Sequence, residues 1–234
     1  PHGCALMFED QQYSYLQLNA WANQIAHYYL SIGARKGDVI AVMLENRPEL
    51  IASVIGLAKI GVTVALVNTA QVAKVLAHSI NLVKPIAVIV GEECRQAVAD
   101  IRQELELAEN RLYWFADQNT RTDAGTAPEG FQNLAQCIAS FPSFNPATTQ
   151  SVQGKDGLFY IYTSGTTGLP KAVIFTNSRW TLAYGTYGHV LGLNQDDVMY
   201  CTLPLYHATG IVVCWCGVIA GSATFAIRRK YSTS

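Results

Sequence analysis

Residues 39–67 read VIAVMLENRPELIASVIGLAKIGVTVALV. The short apolar run 39–44 at the start of this stretch predicts a buried strand. Asn46 is expected to cap the helix that follows, and Pro48 suits its first turn. The apolar run 62–67 at the end predicts a second buried strand. A strand, a helix and a strand in this order are typical of a parallel sheet covered by helices.

The same alternation continues in both directions along the chain. Upstream, Ser14 and Gln17 have the spacing of a capping box and predict a helix that ends at Gly33. Downstream, the patterns predict helices over 71–82, 92–107 and 131–139, and strands over 86–90, 112–115, 158–163 and 172–176. The sequence therefore predicts an α/β fold with mostly parallel sheets flanked by helices. The polar tract 140–157, with two prolines and two glycines, is expected to mark a lobe boundary.

Composition limits the kind of protein this chain can be. Sixteen basic and seventeen acidic residues leave a net charge of −1, so there is no electrostatic case for binding nucleic acid. Charged residues make up 14% of the chain and hydrophobic residues 50%, which excludes a disordered protein. Such an apolar chain has a large core, a membrane surface or a missing partner segment.

One segment has the length of a membrane-spanning helix. Residues 208–227 carry no charge, and Arg228, Arg229 and Lys230 follow them directly. Gly221 and Ser222 instead favour a break between a helix and a short strand. We therefore prefer two short buried elements to a membrane span.

The cysteines and the first residues bear on the compartment. The six cysteines form no C-x-x-C pair, and no histidine stands at zinc-ligand spacing from them. Buried free thiols in a reducing compartment are expected, rather than a disulfide framework. Residues 1–4, PHGC, lack the features of a signal peptide and contain no initiator Met, so the chain is expected to start inside a longer protein.

The loop between the predicted strands 158–163 and 172–176 carries the clearest chemistry. Its glycines let backbone N–H groups approach an anion, and successive N–H groups in a turn form an anion-binding concavity. Its hydroxyl groups can donate to phosphate oxygens or help to place a hydrated Mg²⁺, and its lysine adds a mobile positive charge. The residues expected to bind phosphate are Thr163, Ser164, Gly165, Thr166, Thr167, Gly168 and Lys171.

This loop differs from the Walker A phosphate loop of kinases and ATPases. Two residues separate Gly168 from Lys171, and Ala172 stands where a magnesium-binding hydroxyl is required. Residues 172–176 also favour a strand where the Walker loop needs a helix. A surface hairpin with no ligand is the remaining alternative, and the eight-residue pattern argues against it.

Two long motifs resemble one superfamily. Residues 162–171, YTSGTTGLPK, resemble the AMP-binding signature of the adenylate-forming superfamily of acyl-CoA synthetases, luciferases and peptide-synthetase adenylation domains. Residues 203–210, LPLYHATG, resemble its next motif, at a matching spacing. Residues 45–49, ENRPE, and 65–69, ALVNT, are similar to the fatty-acid-transport-protein branch, although Ala70 departs from the Asn expected there.

The resemblance implies a fold, a reaction and a role for one histidine. It covers the whole chain but only the first part of the family's protein, so residues 1–234 are identified as an incomplete, truncated N-terminal adenylation domain. It implies an acid–thiol ligase that forms acyl-AMP from ATP and a long- or very-long-chain fatty acid, then a thioester with coenzyme A, with Mg²⁺ assisting. It places His207 at the carboxylate end of the acyl site as the catalytic residue, and it implies no dedicated metal-ligating residues.

Alternative functions stay open at this point. One is a fatty-acid binding or transport protein at a membrane surface, without turnover. Another is a different acid–CoA ligase, specific for a bile acid, carnitine or an aryl acid. The resemblance implies a location in the cytoplasm or on the cytoplasmic face of a membrane, where peripheral membrane association and self-association are further expectations. The fragment alone is expected to fold without completing the reaction.

Overall fold

The computed structural model describes residues 2–117, 126–164 and 168–229, which form two β-sheets flanked by helices. The strands are β1 (Cys4–Phe8), β2 (Gln11–Ser14), β3 (Val39–Met43), β4 (Thr63–Leu66), β5 (Ala87–Gly91), β6 (Leu112–Phe115), β7 (Gln132–Asn133), β8 (Gly157–Thr163), β9 (Lys171–Thr176), β10 (Val198–Cys201) and β11 (Thr224–Ile227). The α-helices are α1 (Tyr15–Ser31), α2 (Pro48–Lys59), α3 (Ala73–Leu82), α4 (Arg95–Asp100), α5 (Leu134–Ile138), α6 (Asn177–Leu191) and α7 (Trp215–Gly221).

The larger sheet has seven strands in the order β7-β6-β5-β3-β4-β8-β9. Its strands are parallel except β9, which pairs antiparallel with β8. Helices cover both faces, so the central strands are buried on both sides and are apolar apart from Thr63 at the start of β4. Ile40 and Val42 pack with α1 and α2 on one face, whereas Ala41 and Met43 pack with α3 on the other.

The smaller sheet has the order β10-β11-β1-β2 and joins distant parts of the chain. β1 runs parallel to β11, with Leu6 opposite Phe225, and β2 pairs antiparallel with β1. The predicted α/β fold with mostly parallel sheets is confirmed. The boundary expected within 140–157 stays a prediction; this segment leads from α5 into β8.

The two predicted helix starts differ in outcome. The capping box at Ser14 is confirmed: its hydroxyl accepts from the Gln17 N–H at 3.2 Å, and Gln17 Oε1 accepts from the Ser14 N–H at 2.8 Å. The Asn46 cap is wrong, because the residue before α2 is Arg47 and no side chain caps this helix. The Asn46 side chain instead bonds the backbone of Leu203 and Leu205.

The helix predicted over 92–107 is shorter than expected. It forms α4 between two 3₁₀ turns, Glu92–Cys94 and Arg102–Glu104. α4 itself ends at Asp100. Further along, the Asn81 Nδ2 donates to the Glu104 carbonyl at 2.7 Å and its Oδ1 accepts from the Glu106 N–H at 3.0 Å, so these two backbone groups bond a side chain of α3.

The apolar segment 208–227 folds as two helical pieces and a strand. A π-helix, Thr209–Cys214, leads into α7, and Ser222 then adopts a left-handed backbone with φ of 54° before β11. The predicted break at Gly221 and Ser222 is confirmed. Within the three described ranges, no helix is long and apolar enough to cross a membrane.

The six cysteines are free thiols, and they differ in burial. Cys94, Cys201 and Cys216 are buried, and the other three are half-buried. The expected burial of the thiols is thus complete for three cysteines and partial for the other three.

Candidate active site

A cavity of about 540 Å³ lies where the carboxyl ends of β4 and β8 meet the turn after β10. Ligands of open α/β sheets bind beyond the carboxyl ends of the parallel strands, so this is the expected place for a site. The lining residues are Leu66, Asn68, Gln71, Val75, Tyr162, Thr163, Ser164, Gly168, Pro170, Tyr206 and His207. The structure thus brings the predicted phosphate loop and the predicted catalytic histidine to one cavity.

The described part of the phosphate loop is exposed and has the backbone that its sequence favours. Thr163 ends β8, and the Thr163 and Ser164 side chains are exposed at the cavity. Gly168 has φ of 86°, in the left-handed region that a residue with a Cβ rarely adopts. Of the other predicted phosphate ligands, Gly165, Thr166 and Thr167 lie outside the described residues.

Lys171 stands on the other side of Pro170 from the cavity. It begins β9 directly opposite Thr163, and its side chain is exposed. It lines a neighbouring cavity of about 740 Å³ together with His78 and Lys84. Pro170 lines both cavities. Thr163, Ser164 and Gly168 thus line one cavity and Lys171 lines the other, although Lys171 and Thr163 are paired across β8 and β9.

Two hydrogen bonds link helix α3 to the loop and to strand β8. The His78 Nε2–H donates to the Pro170 carbonyl at 3.1 Å, and the Tyr162 hydroxyl donates to the Ser79 carbonyl at 2.7 Å. Burial raises the pKa of Tyr162, which keeps its hydroxyl as a donor. The sequence alone could not predict this role of His78, because its hydrogen-bond partner is a backbone carbonyl 92 positions away.

His207 faces the loop from the turn after β10. Its side chain is exposed, and its ring centroid lies 4.6 Å from that of Tyr206. The His207 N–H donates to the Pro204 carbonyl at 3.1 Å, which closes the turn. Burial raises the pKa of Tyr206, and its hydrogen bond with Thr69 opposes this effect. His207 thus presents an exposed imidazole to the cavity from a turn closed by its own N–H.

A buried charged cluster joins the two sheets beside this site. Arg47 is 2% exposed and donates to both Glu49 oxygens at 2.8 and 2.7 Å, to Glu93 at 3.0 Å and to the Ala116 carbonyl at 2.6 Å. Burial alone lowers the pKa of Arg47, but the hydrogen bond to Glu49 and the neighbouring carboxylates outweigh it and raise this pKa. After β11, Arg229 pairs with Asp117 at 2.6 and 2.9 Å. The cluster fixes the end of β11 to the larger sheet.

A dedicated metal site does not appear in the described ranges. No three His, Cys, Asp or Glu side chains among residues 2–117, 126–164 and 168–229 are placed to hold a metal ion. Among the oxygen ligands on the described lining of the cavity are the Thr163 and Ser164 hydroxyls and the Asn68 and Gln71 amides.

Two curated relatives match nearly all of this chain. It is 36% identical over 230 residues to the medium/long-chain-fatty-acid–CoA ligase FadD6 of Mycobacterium tuberculosis, with 98% of this chain and 36% of the relative covered. It is 35% identical over 222 residues to long-chain fatty acid transport protein 1 of Rattus norvegicus, with 95% of this chain and 34% of the relative covered. The chain spans about a third of the length of these relatives.

Solved structures share the fold at lower identity. The N-terminal domain of FACL13 from M. tuberculosis matches with a TM-score of 0.82 and 24% identity over 99% of this chain and 55% of that one. ATP-bound MatB from Rhodopseudomonas palustris matches with a TM-score of 0.82 and 22% identity over 99% of this chain and 43% of that one. The profile of the family described as AMP-binding enzyme matches residues 1–233. Because this profile covers nearly the whole length, the chain belongs to the AMP-binding enzyme family.

Proposed function

We propose that this chain is the N-terminal part of an ATP-dependent fatty acyl-CoA ligase. In the complete protein, a fatty-acid carboxylate attacks the α-phosphate of ATP and gives acyl-AMP and pyrophosphate. The thiol of coenzyme A then displaces AMP and gives the thioester. The observation that carries this proposal is the single cavity lined by Thr163, Ser164 and Gly168 on one side and His207 on the other.

The difficulty of the first step is to bring a carboxylate onto a polyanion. Catalysis therefore rests on positioning the reactants and on placing donors where negative charge builds up. The loop 163–171 binds the β- and γ-phosphates through its backbone N–H groups and hydroxyls. Lys171 adds its charge from the neighbouring cavity, which its long side chain can do by reaching past Pro170. No side chain of this chain acts as a nucleophile.

His207 serves the acyl side of the same cavity. Its exposed imidazole lies beside Tyr206 and can donate to the fatty-acid carboxylate as the carboxylate approaches the α-phosphate. Mg²⁺, when bound, neutralises phosphate charge. Since the described residues provide hydroxyls and no carboxylate cluster, Thr163 and Ser164 are the groups that would share it with the phosphates of ATP. Coenzyme A and the adenine and ribose of ATP bind to parts of the protein beyond this chain, so the fragment alone is inactive.

Fatty acids are the substrate class we propose. The support is the similarity to a medium/long-chain-fatty-acid–CoA ligase and to long-chain fatty acid transport proteins. The test is to incubate the complete protein with ATP, Mg²⁺, coenzyme A and one acid at a time, and to measure acyl-CoA by mass spectrometry. Fatty acids of about 12 to 24 carbons, whose extended lengths are roughly half to all of the hydrocarbon core of a bilayer, form a graded series, with benzoate, cholate and carnitine as controls.

The outcomes separate the proposal from its alternatives. Acyl-CoA from the fatty acids and none from the control acids supports it. Turnover with a control acid alone assigns another acid–CoA ligase. Binding of fatty acid without release of pyrophosphate assigns a transport protein without turnover.

A further inference from the structure

Asn46 makes two hydrogen bonds to the backbone of a distant segment. It is 4% exposed, its Nδ2 donates to the Leu203 carbonyl at 2.9 Å, and its Oδ1 accepts from the Leu205 N–H at 2.8 Å. Both bonds cross more than 150 positions of sequence. Leu205 is fully buried, and the Asn46 amide is the partner that the structure gives its N–H.

The segment that Asn46 holds leads directly into His207. The Pro204 carbonyl, between the two bonded leucines, accepts from the His207 N–H at 3.1 Å. Gly210 packs so closely on this carbonyl that a Cβ there would lie 2.6 Å from its oxygen. Residues 203–210 therefore form one tight turn, and a shift of its first residues moves His207 as well.

Asn46 is itself fixed to the larger sheet by its neighbours. The Glu45 N–H donates to Glu93 Oε1 at 2.8 Å, and Arg47 is held by Glu49 and Glu93. Asn46 follows β3, in the same sheet as β8, which carries Thr163 at its end. Asn46 is thus a bridge from the sheet that carries the phosphate loop to the turn that carries the histidine.

We propose that Asn46 is a positioning residue that sets His207 against the cavity through its hydrogen bonds to Leu203 and Leu205. The proposal rests on the proposed function, since it assigns His207 to the acyl side of that reaction. It makes the distance between the two halves of the cavity depend on one buried amide.

The first test compares two asparagines that bond backbone in the same way. Asn81 also donates to one carbonyl and accepts from one N–H, but it lies away from the cavity, at residues 104–106. We expect N46A in the complete protein to lower fatty-acid-dependent ATP–pyrophosphate exchange about tenfold, as the loss of one or two buried hydrogen bonds allows. N81A is expected to keep exchange within about twofold of the wild type. N46D keeps the side-chain volume but cannot donate to Leu203, and its exchange rate is expected to fall as that of N46A does. Where N46A does not fold, the exchange rate of N46D decides the question.

The second test asks whether Asn46 acts through His207. In a double-mutant cycle, N46A should cost less than about twofold in the H207A background, because the group it positions is already gone. If N46A lowers exchange by the same factor in the wild-type and H207A backgrounds, the proposal is overturned. Where H207A leaves no measurable exchange, the KM values of N46A decide: a rise for the fatty acid and not for ATP supports the proposal, and equal rises overturn it. A wild-type protein without fatty-acid-dependent exchange refutes the proposed function instead, which keeps the two failures apart.

Discussion

Replacement of Arg47 by Met should destabilise the fold strongly. The variant removes four hydrogen bonds and leaves the carboxylates of Glu49 and Glu93 buried without their main cation. Removing one partner of a buried ion pair costs about 3–5 kcal/mol, because the remaining charge is not solvated. The free energy of unfolding of a domain is about 5–15 kcal/mol, so this loss is a large part of it.

The matched control is the half-buried pair Arg95 and Glu92 at the surface. Their Nε–Oε1 distance is 3.2 Å, and both side chains are 30% exposed, against 2% for Arg47. A surface pair of this kind contributes about 0–1 kcal/mol, so R95M should change the stability little.

Thermal unfolding of residues 1–234, followed by circular dichroism, compares the two variants. For a chain of this size, each kcal/mol of lost stability lowers Tm by about 2–4 °C, so R47M should lower Tm by about 10 °C. The R95M variant should stay within about 4 °C of the wild type. Equal Tm values for R47M and R95M would refute the reasoning, because burial would then not govern the strength of these pairs.

Three further predictions concern the loop, its support and alkaline pH. In the complete protein, K171A should slow acyl-adenylate formation without lowering Tm; pyrophosphate release at the wild-type rate would remove Lys171 from the site. H78F, which keeps the ring and loses the donor to Pro170, should raise the KM for ATP about three- to tenfold, while H78Q should stay near the wild type; equal KM values would contradict the tether. Burial of Tyr15 raises its pKa to about 12, above its value of about 10 in the unfolded chain. Its contribution to stability is therefore present below pH 10 and lost as the pH rises toward 12, so urea unfolding should show a flatter decline over this range for Y15F than for the wild type.

Local signals in the sequence predicted most of the elements. Ser14 and Gln17 define a helix start because both partners of the capping box lie within one turn. The apolar runs at 39–44 and 62–67 identified β3 and β4, since strands buried on both faces are continuously apolar. The prediction of a phosphate-binding loop and of His207 as a site residue came from motifs that are contiguous in sequence.

Features that depend on contacts between distant parts of the chain could not be predicted from the sequence. Asn46 has the residue type of a helix cap, but its partners are Leu203 and Leu205, and only the folded chain brings them within reach. Asn81 likewise bonds the backbone of Glu104 and Glu106, which lie more than 20 positions away. No periodicity indicates that β1 pairs with β11, because a parallel pairing depends on how the whole chain is arranged.

Detection of acyl-AMP tests the central claim most directly. The complete protein is incubated with ATP labelled at the α-phosphate, Mg²⁺ and palmitate, without coenzyme A, and the products are separated. Labelled palmitoyl-AMP is the expected product, and addition of coenzyme A should convert it to labelled AMP and palmitoyl-CoA. Labelled ADP, or no palmitate-dependent product, would contradict the claim.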